Sequence, residues 1–376
     1  MNINFAMWGV ERTGGVRVLF EIANRLTKKG HKVIITTLGK PGSHAWFPLE
    51  VSEIIYAEQK IYRADKKSPS SILNDSLRIM PESFLKIFED TMRDRLRSQA
   101  VNVLANSFPK NIDANIATMC FSAYSVAKNM VGVPFYYLQH YESIFYDNPS
   151  TKHWIDGTYT LPLNKIANSS WLKSLIKERF DQSCGGPIVP AIDHNTFYPK
   201  NLCNNGSEKI IIALGKSTQW KGLHDLFQAL KFVRKEIPEI KLLLYGSEPY
   251  LKELSPIPCE YMARISDRKL ADLYSMADVQ VTPSWYESAP LPPLEAMACG
   301  TPVVTTRYGT EDYCFDHRNS LVVPPKNPKA LANAIIEVLK DNKIRDRFSE
   351  EGPKTAQKFT WENATEAVEK LLLATV

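Results

Sequence analysis

The order strand, loop, helix, strand within the first 38 residues constrains this chain most. Residues 2–7 (NINFAM) are short and apolar enough for a buried strand, and WGVERTGG follows as a loop. Val16, Leu19, Phe20, Ala23 and Leu26 then recur at helical spacing. Lys28-Lys29-Gly30 supplies a basic end and a stop, and KVIITTL at 32–38 is again a strand. A helix between two neighbouring strands brings them in parallel, because a tight hairpin no longer joins them. The unit therefore begins a parallel sheet covered by helices.

The alternation continues. Strands are expected at 113–119, 134–138, 164–168 and 187–189, and helices at 122–131 and 170–180. Residues 195–208, rich in Asn, Pro, Gly and Ser, read as a linker. A second series follows, with strands at 209–214, 241–246, 259–262, 278–282 and 302–305. Helices are expected at 222–236, 267–276, 293–299, 327–340, 343–357 and 361–374. A length of 376 residues suits two domains. The expected fold is α/β, with two Rossmann-like doubly wound domains facing a cleft. One would span 1–195 and the other 196–357, with the terminal helix at 358–376 packing back on the first. Open sheets of this kind bind ligands beyond the C-terminal ends of their strands.

Composition removes several classes. The chain is 44% hydrophobic and 23% charged, which argues against a long disordered or fibrous chain. No apolar run approaches the length of a membrane span, and the first residues read as a strand rather than a signal peptide. Six scattered cysteines without a CxxC pair point to a reducing, cytoplasmic compartment and no structural zinc. A net charge of +5 is too mild for a nucleic-acid partner but suits anionic small molecules. Residues 60–100 carry many basic groups with acidic ones mixed in, as a solvated helical face would. A peripheral contact with a membrane, or with an acceptor, is the alternative use of that face.

Four segments carry chemistry. The first runs from Glu287 to Glu295, two carboxylates eight positions apart, with Pro292 and Pro293 suited to a helix entry. Such carboxylates can accept hydrogen bonds from vicinal sugar hydroxyls, and N–H groups at the helix start can hold phosphate. Glu295 as a mere helix cap and Glu287 as a solvated charge are the structural alternatives. The second is Gly215 to Gly222, where Lys216 and Lys221 lie between a buried strand and a helix and could meet a diphosphate. It lacks the order of a Walker loop, and solvated lysines are its plain reading. The third is Gly14-Gly15, which lets an anion approach a helix N-terminus. The fourth is His140, just past a strand, either near a reaction centre or simply hydrogen-bonded. The GxGxxG fingerprint, an Asp-x-Asp pair for a metal–nucleotide complex and a Gly-x-Ser-x-Gly elbow are all absent.

Together these segments resemble the retaining GT-B glycosyltransferases of family 4, also called glycosyl transferases group 1. The resemblance is densest from 209 to 306, in ADVQVTPSWYESAPLPPLEAMACGTPVVTT above all. It implies transfer of a hexose from a nucleotide-diphosphate sugar (UDP, GDP or dTDP type) to a saccharide or lipid-linked acceptor, with retention. Cell-surface polysaccharide or glycoconjugate synthesis is the setting it implies. The nucleotide sugar is then a substrate, and neither cofactor nor metal is implied. By resemblance, Glu287 would contact hydroxyls of the donor sugar and Glu295 those of the ribose. Lys221, with Lys216 beside it, would bind the diphosphate. Gly15, next to Gly14, would offer an N–H to phosphate, and His140 would lie by the sugar. Backbone near Arg264 would meet the base, and Leu291 would line the donor site. The family usually has Arg at the position of Lys216 and Phe-Gly at that of Ala289-Pro290. A two-domain nucleotide-sugar epimerase and a non-catalytic sugar-nucleotide binding protein are the rival readings.

Overall fold

The structure is a computed structural model that describes residues 1–57, 97–200, 202 and 206–376. The basic stretch expected at 60–100 lies outside the described residues except for its last four. The chain forms two compact units. The first comprises Met1–Ala167, Ile176–Gly185 and Val368–Val376, and the second Asn168–Leu175 and Gly186–Ala367. The Asn-rich stretch 195–208 thus falls inside the second unit rather than at the division.

The first unit holds a seven-stranded sheet in the order β3-β2-β1-β4-β5-β6-β7. Its strands are β1 (Asn2–Met7), β2 (Lys32–Thr37), β3 (Glu53–Tyr56), β4 (Ala114–Ala117), β5 (Val133–Leu138), β6 (Asn164–Ala167) and β7 (Cys184–Gly185). Every pairing is parallel. The strand expected at 187–189 is not formed, and the short β7 takes its place upstream. Pro187 and Pro190 bracket that stretch, and proline cannot donate to a ladder. Neither β3 nor the helix Pro149–Thr158 was anticipated. Four residues carry little alternation, and a helix containing Pro149 and Gly157 reads as a loop.

The chain's last helix, Trp361–Leu373, ends in the first unit. There the Glu369 carboxylate takes Lys29 Nζ at 2.8 Å and His31 Nε2 at 2.7 Å. Hydrogen bonds from those two side chains hold the Glu369 carboxyl below the usual range.

The second unit holds a six-stranded parallel sheet in the order β10-β9-β8-β11-β12-β13. Its strands are β8 (Lys209–Gly215), β9 (Ile240–Gly246), β10 (Cys259–Ala263), β11 (Val279–Thr282), β12 (Val303–Thr306) and β13 (Leu321–Val323). Ile211 and Ala213 of β8 join one buried cluster with Leu242 and Leu244 of β9. Ile210 and Ile212 join the other, with Leu243 and Tyr245. A strand alternates its side chains between faces, so both faces of this sheet are buried. That explains why β8 and β9 read as continuous apolar runs.

In each sheet the strand order reverses beside the first strand. The reversal lies between β1 and β4 in one sheet and between β8 and β11 in the other. Open sheets of this kind bind their ligands over the strand ends at such a point.

Candidate functional site

In the second unit, the loops after β8 and β11 rise side by side from that reversal. The Trp285 amide donates to Trp220 O at 2.7 Å and ties them together. Lys221 ends a short turn, Gln219–Lys221, and Gly222 follows at φ 68° as the N-cap of helix Leu223–Glu236. A Cβ on Gly222 would stand 2.0 Å from Pro283 O, so only glycine lets the two loops meet. This approach delivers Lys221 Nζ to Glu287 Oε1 at 2.5 Å. The Ser284 hydroxyl donates to the same oxygen at 2.9 Å. Glu287 is 8% exposed, so it is no freely solvated carboxylate.

The remainder of the Glu287 loop is held by backbone. Ala289 adopts φ 55°, and its amide donates to Gly309 O at 3.0 Å. Gly309 presses so close that a Cβ there would lie 2.2 Å from Glu287 O. Pro290 then caps the helix Leu291–Ala298, which begins two residues earlier than expected. Leu291 is its first residue and is half-buried. Pro290, Pro292 and Pro293 have no N–H, so of the unpaired amides at this helix start only that of Leu291 is left for an anion. The helix start is therefore a poorer phosphate site than the sequence suggested.

Glu295 sits in the second turn of this helix and is not its cap. It is buried, and the Tyr274 hydroxyl donates to Glu295 Oε2 at 3.4 Å. Tyr274 and Tyr245 hydroxyls lie 2.7 Å apart. Burial, and then the Glu295 charge, push the Tyr245 hydroxyl to a higher pKa.

Lys216 has a different partner. Its Nζ lies 2.6 Å from Glu248 Oε1, and the Ser217 amide donates to Glu248 Oε2 at 3.0 Å. Burial pushes the Glu248 carboxyl up, but the Lys216 ammonium and Ser217 overcome it and hold it at about 2. The Tyr261 hydroxyl takes the Glu248 amide at 2.7 Å and donates to Gly215 O at 3.3 Å. It thereby clamps the end of β8 to the loop after β9. Arg264, past β10, is exposed at φ 51°, and its amide donates to Gly246 O at 3.0 Å. The structure thus brings Lys221 to Glu287 and Lys216 to Glu248, and places Glu295 apart among tyrosines.

Glu248 and Ser284 were not anticipated. Glu248 sits in SEPYLKEL, where nothing marks one acid over another. Ser284 lies three residues before Glu287, a spacing that only a turn makes into a contact.

Gly14, Gly15 and His140 belong to the first unit. The glycines open the helix Gly14–Lys28 rather than preceding it. Thr13 caps that helix by accepting the Val16 amide at 3.2 Å, and the Gly14 and Gly15 amides have no acceptor within the helix. A Cβ on Gly15 would stand 3.1 Å from Gln139 Oε1, so the end of β5 adjoins this helix start. His140 is half-buried, with Nδ1 3.3 Å from Tyr141 O and its ring 4.7 Å from that of Phe145.

Among the described residues no group of three or more His, Cys, Asp or Glu is placed to hold a metal ion. No helix among them is long and apolar enough to cross a membrane. Cys120, Cys184, Cys259, Cys299 and Cys314 are free thiols.

Comparison with known proteins bears on the same segments. Residues 195–355 match the family model described as "Glycosyl transferases group 1". The chain is 30% identical over 181 residues to a D-inositol 3-phosphate glycosyltransferase of Corynebacterium urealyticum, covering 44% of this chain and 43% of that one. The chain thus spans less than half the length of that curated relative. Among solved structures, a sucrose-phosphate synthase of Thermosynechococcus elongatus matches at TM-score 0.75 and 19% identity, over 99% of this chain and 98% of that one. Anabaena HepE in complex with UDP-glucose matches at TM-score 0.68 and 16% identity, over 100% of both chains. At such identities the likeness is one of fold. Residues 195–355, which contain Lys216, Lys221, Arg264, Glu287, Leu291 and Glu295, therefore resemble the glycosyl transferases group 1, and the chain as a whole has the GT-B fold.

Proposed function

We propose that the chain transfers a hexosyl group from a nucleotide-diphosphate sugar to a saccharide or lipid-linked acceptor with retention of anomeric configuration. The observation that carries this is the meeting of Lys221 and Glu287 over the reversal point of the second sheet. One group suits a leaving diphosphate and the other suits sugar hydroxyls, and they adjoin as those parts of a donor do. The group 1 match and the neighbour that binds UDP-glucose support the same donor class.

Breaking the anomeric C–O bond develops positive charge on the sugar ring and negative charge on the diphosphate. Lys221 and Lys216 stabilise the leaving group through fixed positive potential. Each ammonium is paired with a carboxylate, Lys221 with Glu287 and Lys216 with Glu248. An arriving diphosphate competes for those ammonium groups and frees the Glu287 oxygen for a sugar hydroxyl. Glu295 takes the ribose hydroxyls, the backbone at Arg264 the base, and Leu291 lines the donor. Gly14 and Gly15 amides take phosphate, and His140 orients the sugar without acting as nucleophile. The leaving phosphate oxygen accepts the acceptor's proton on the same face, which yields retention. The reaction is assigned no cofactor and no metal. Its setting is the cytoplasm, in cell-surface polysaccharide or glycoconjugate synthesis, with peripheral membrane contact through residues 60–100 as an extension. Epimerisation has no specific observation in its favour.

A thermal-shift screen of UDP-, GDP- and dTDP-sugars, with and without chelator, tests the reading. One donor should raise Tm in both conditions. If no nucleotide sugar shifts Tm, and none is consumed with any acceptor, the reading fails.

A further inference from the structure

One side chain, that of Tyr261, reaches across three strands to the start of the Lys216 loop. Tyr261 of β10 pairs with Leu244 of β9, and Leu244 with Ala213 of β8. Positions two apart on a strand share a face, so Gly246 and Gly215 lie on the same face as Tyr261, one step further along their strands. The ring requires both to be glycine. A Cβ on Gly215 would stand 2.7 Å from Tyr261 Cε2, and one on Gly246 would stand 2.8 Å from the Tyr261 hydroxyl. The side chain thus passes over the end of β9 and brings its hydroxyl to the end of β8.

Three consecutive residues are then fastened to Tyr261 or to the glutamate it holds. The hydroxyl donates to Gly215 O at 3.3 Å and accepts the Glu248 amide at 2.7 Å. Glu248 accepts the Ser217 amide at 3.0 Å, and its other oxygen lies 2.6 Å from Lys216 Nζ. Burial raises the Tyr261 hydroxyl above its ordinary value, which keeps the proton it gives to Gly215. A diphosphate that draws the Lys216 ammonium from Glu248 competes for neither of the bonds between Tyr261 and backbone. Those bonds therefore hold the loop while the ammonium changes partner.

We propose that Tyr261 is a positioning residue for the donor's diphosphate: its hydroxyl holds the Gly215–Ser217 backbone in the course that presents Lys216 to the phosphates. A lysine side chain has several freely turning bonds, and a fixed backbone beneath it lowers the cost of bringing its ammonium to a ligand. Phenylalanine would fill the same space over the two glycines without either hydrogen bond. The proposal rests on the transfer reading above, in which Lys216 meets the diphosphate, and adds a residue that acts through it.

Calorimetry of UDP, GDP and dTDP on the intact chain tests it, in the parent, Tyr261→Phe, Lys216→Ala and the double variant. A diphosphate that binds the parent should bind Tyr261→Phe about three- to tenfold more weakly, the worth of one hydrogen bond. In the Lys216→Ala background the same change should cost nothing further, because the residue it acts through is gone. A change that only loosened the fold would weaken both backgrounds alike. Circular dichroism checks the fold of each variant. Should Tyr261→Phe not fold, Gly215→Ala, whose Cβ displaces the ring, takes its place in the same cycle with the same expected outcome. The proposal is overturned if the variant binds as the parent does, or if it costs as much without Lys216 as with it. Either result leaves the transfer reading standing. A parent that binds none of the three diphosphates would sink the transfer reading and this proposal with it.

Discussion

The Lys221 ammonium lies 2.5 Å from the Glu287 carboxylate, across 66 positions of sequence. The contact exists because β8 and β11 are sheet neighbours and Gly222 lets their loops close on one another. Each charge therefore tunes the other. Glu287→Gln leaves Lys221 with its full potential and removes the acceptor for a sugar hydroxyl. Nucleoside diphosphate should bind Glu287→Gln at least as tightly as the parent, while transfer falls by about 10²–10³. Calorimetry beside a transfer assay reads both. A variant that loses diphosphate binding would show that Glu287 orders the site instead.

Gly309 supports the same loop from behind. A Cβ there meets Glu287 O at 2.2 Å, at a φ of 85° that L side chains seldom adopt. Gly309→Ala should cost about 1–3 kcal/mol in stability. It should also lower transfer by displacing Glu287. Urea unfolding and kinetics together check this, and parental values of both would refute the close approach.

Glu248 gives the site an acid limit. Its folded value of about 2 lies below the ordinary carboxyl value near 4.3. The stability it contributes is thus present above about pH 4.3 and is lost as pH falls toward 2. Glu248→Gln should flatten the acid limb of the stability profile. It should also free Lys216, so weak diphosphate binding should persist or tighten. Denaturant midpoints between pH 2 and 6 decide, and an unchanged acid limb would count against the Lys216–Glu248 pairing.

In the first unit, Glu142 caps the helix Cys120–Asn129 from inside the core. Its two oxygens accept the Cys120 amide at 2.9 and 3.1 Å, and one takes the Tyr136 hydroxyl at 3.1 Å. Burial raises its pKa, with the Cys120 and Tyr136 hydrogen bonds working against the rise. Its contribution is complete below the ordinary value and declines as pH rises through the folded one. Glu142→Leu should cost about 1–3 kcal/mol, because the amide and hydroxyl lose their acceptor. Glu142→Gln should hold its stability better than the parent as pH rises from 4 to 7. A leucine variant as stable as the parent would contradict the capping role.

Much of this architecture was legible because parallel strands buried on both faces write themselves as apolar runs, as in KIIIALG and IKLLLYG. The helices Ser170–Phe180 and Asp267–Met276 lie where their periodicity places them. What escaped was short or long-range. β3 and β13, of four and three residues, lie where no strand was expected. Glu248 is recognisable only once β9 stands beside β8 and brings its loop to Lys216. The two lysines and two glutamates could be named from their segments, but not paired: spacing says nothing of which charge meets which. The run of prolines at 290, 292 and 293 was visible throughout. Its consequence, a helix start poor in N–H donors, depended on where that helix begins.

The central claim is that Lys221 stabilises the departing diphosphate. Lys221→Ala in a transfer assay, with the donor identified by thermal shift and the fold checked by circular dichroism, tests it most directly. Transfer should fall by about 10²–10³ with the fold intact. Transfer at the parental rate by a folded Lys221→Ala protein would contradict it.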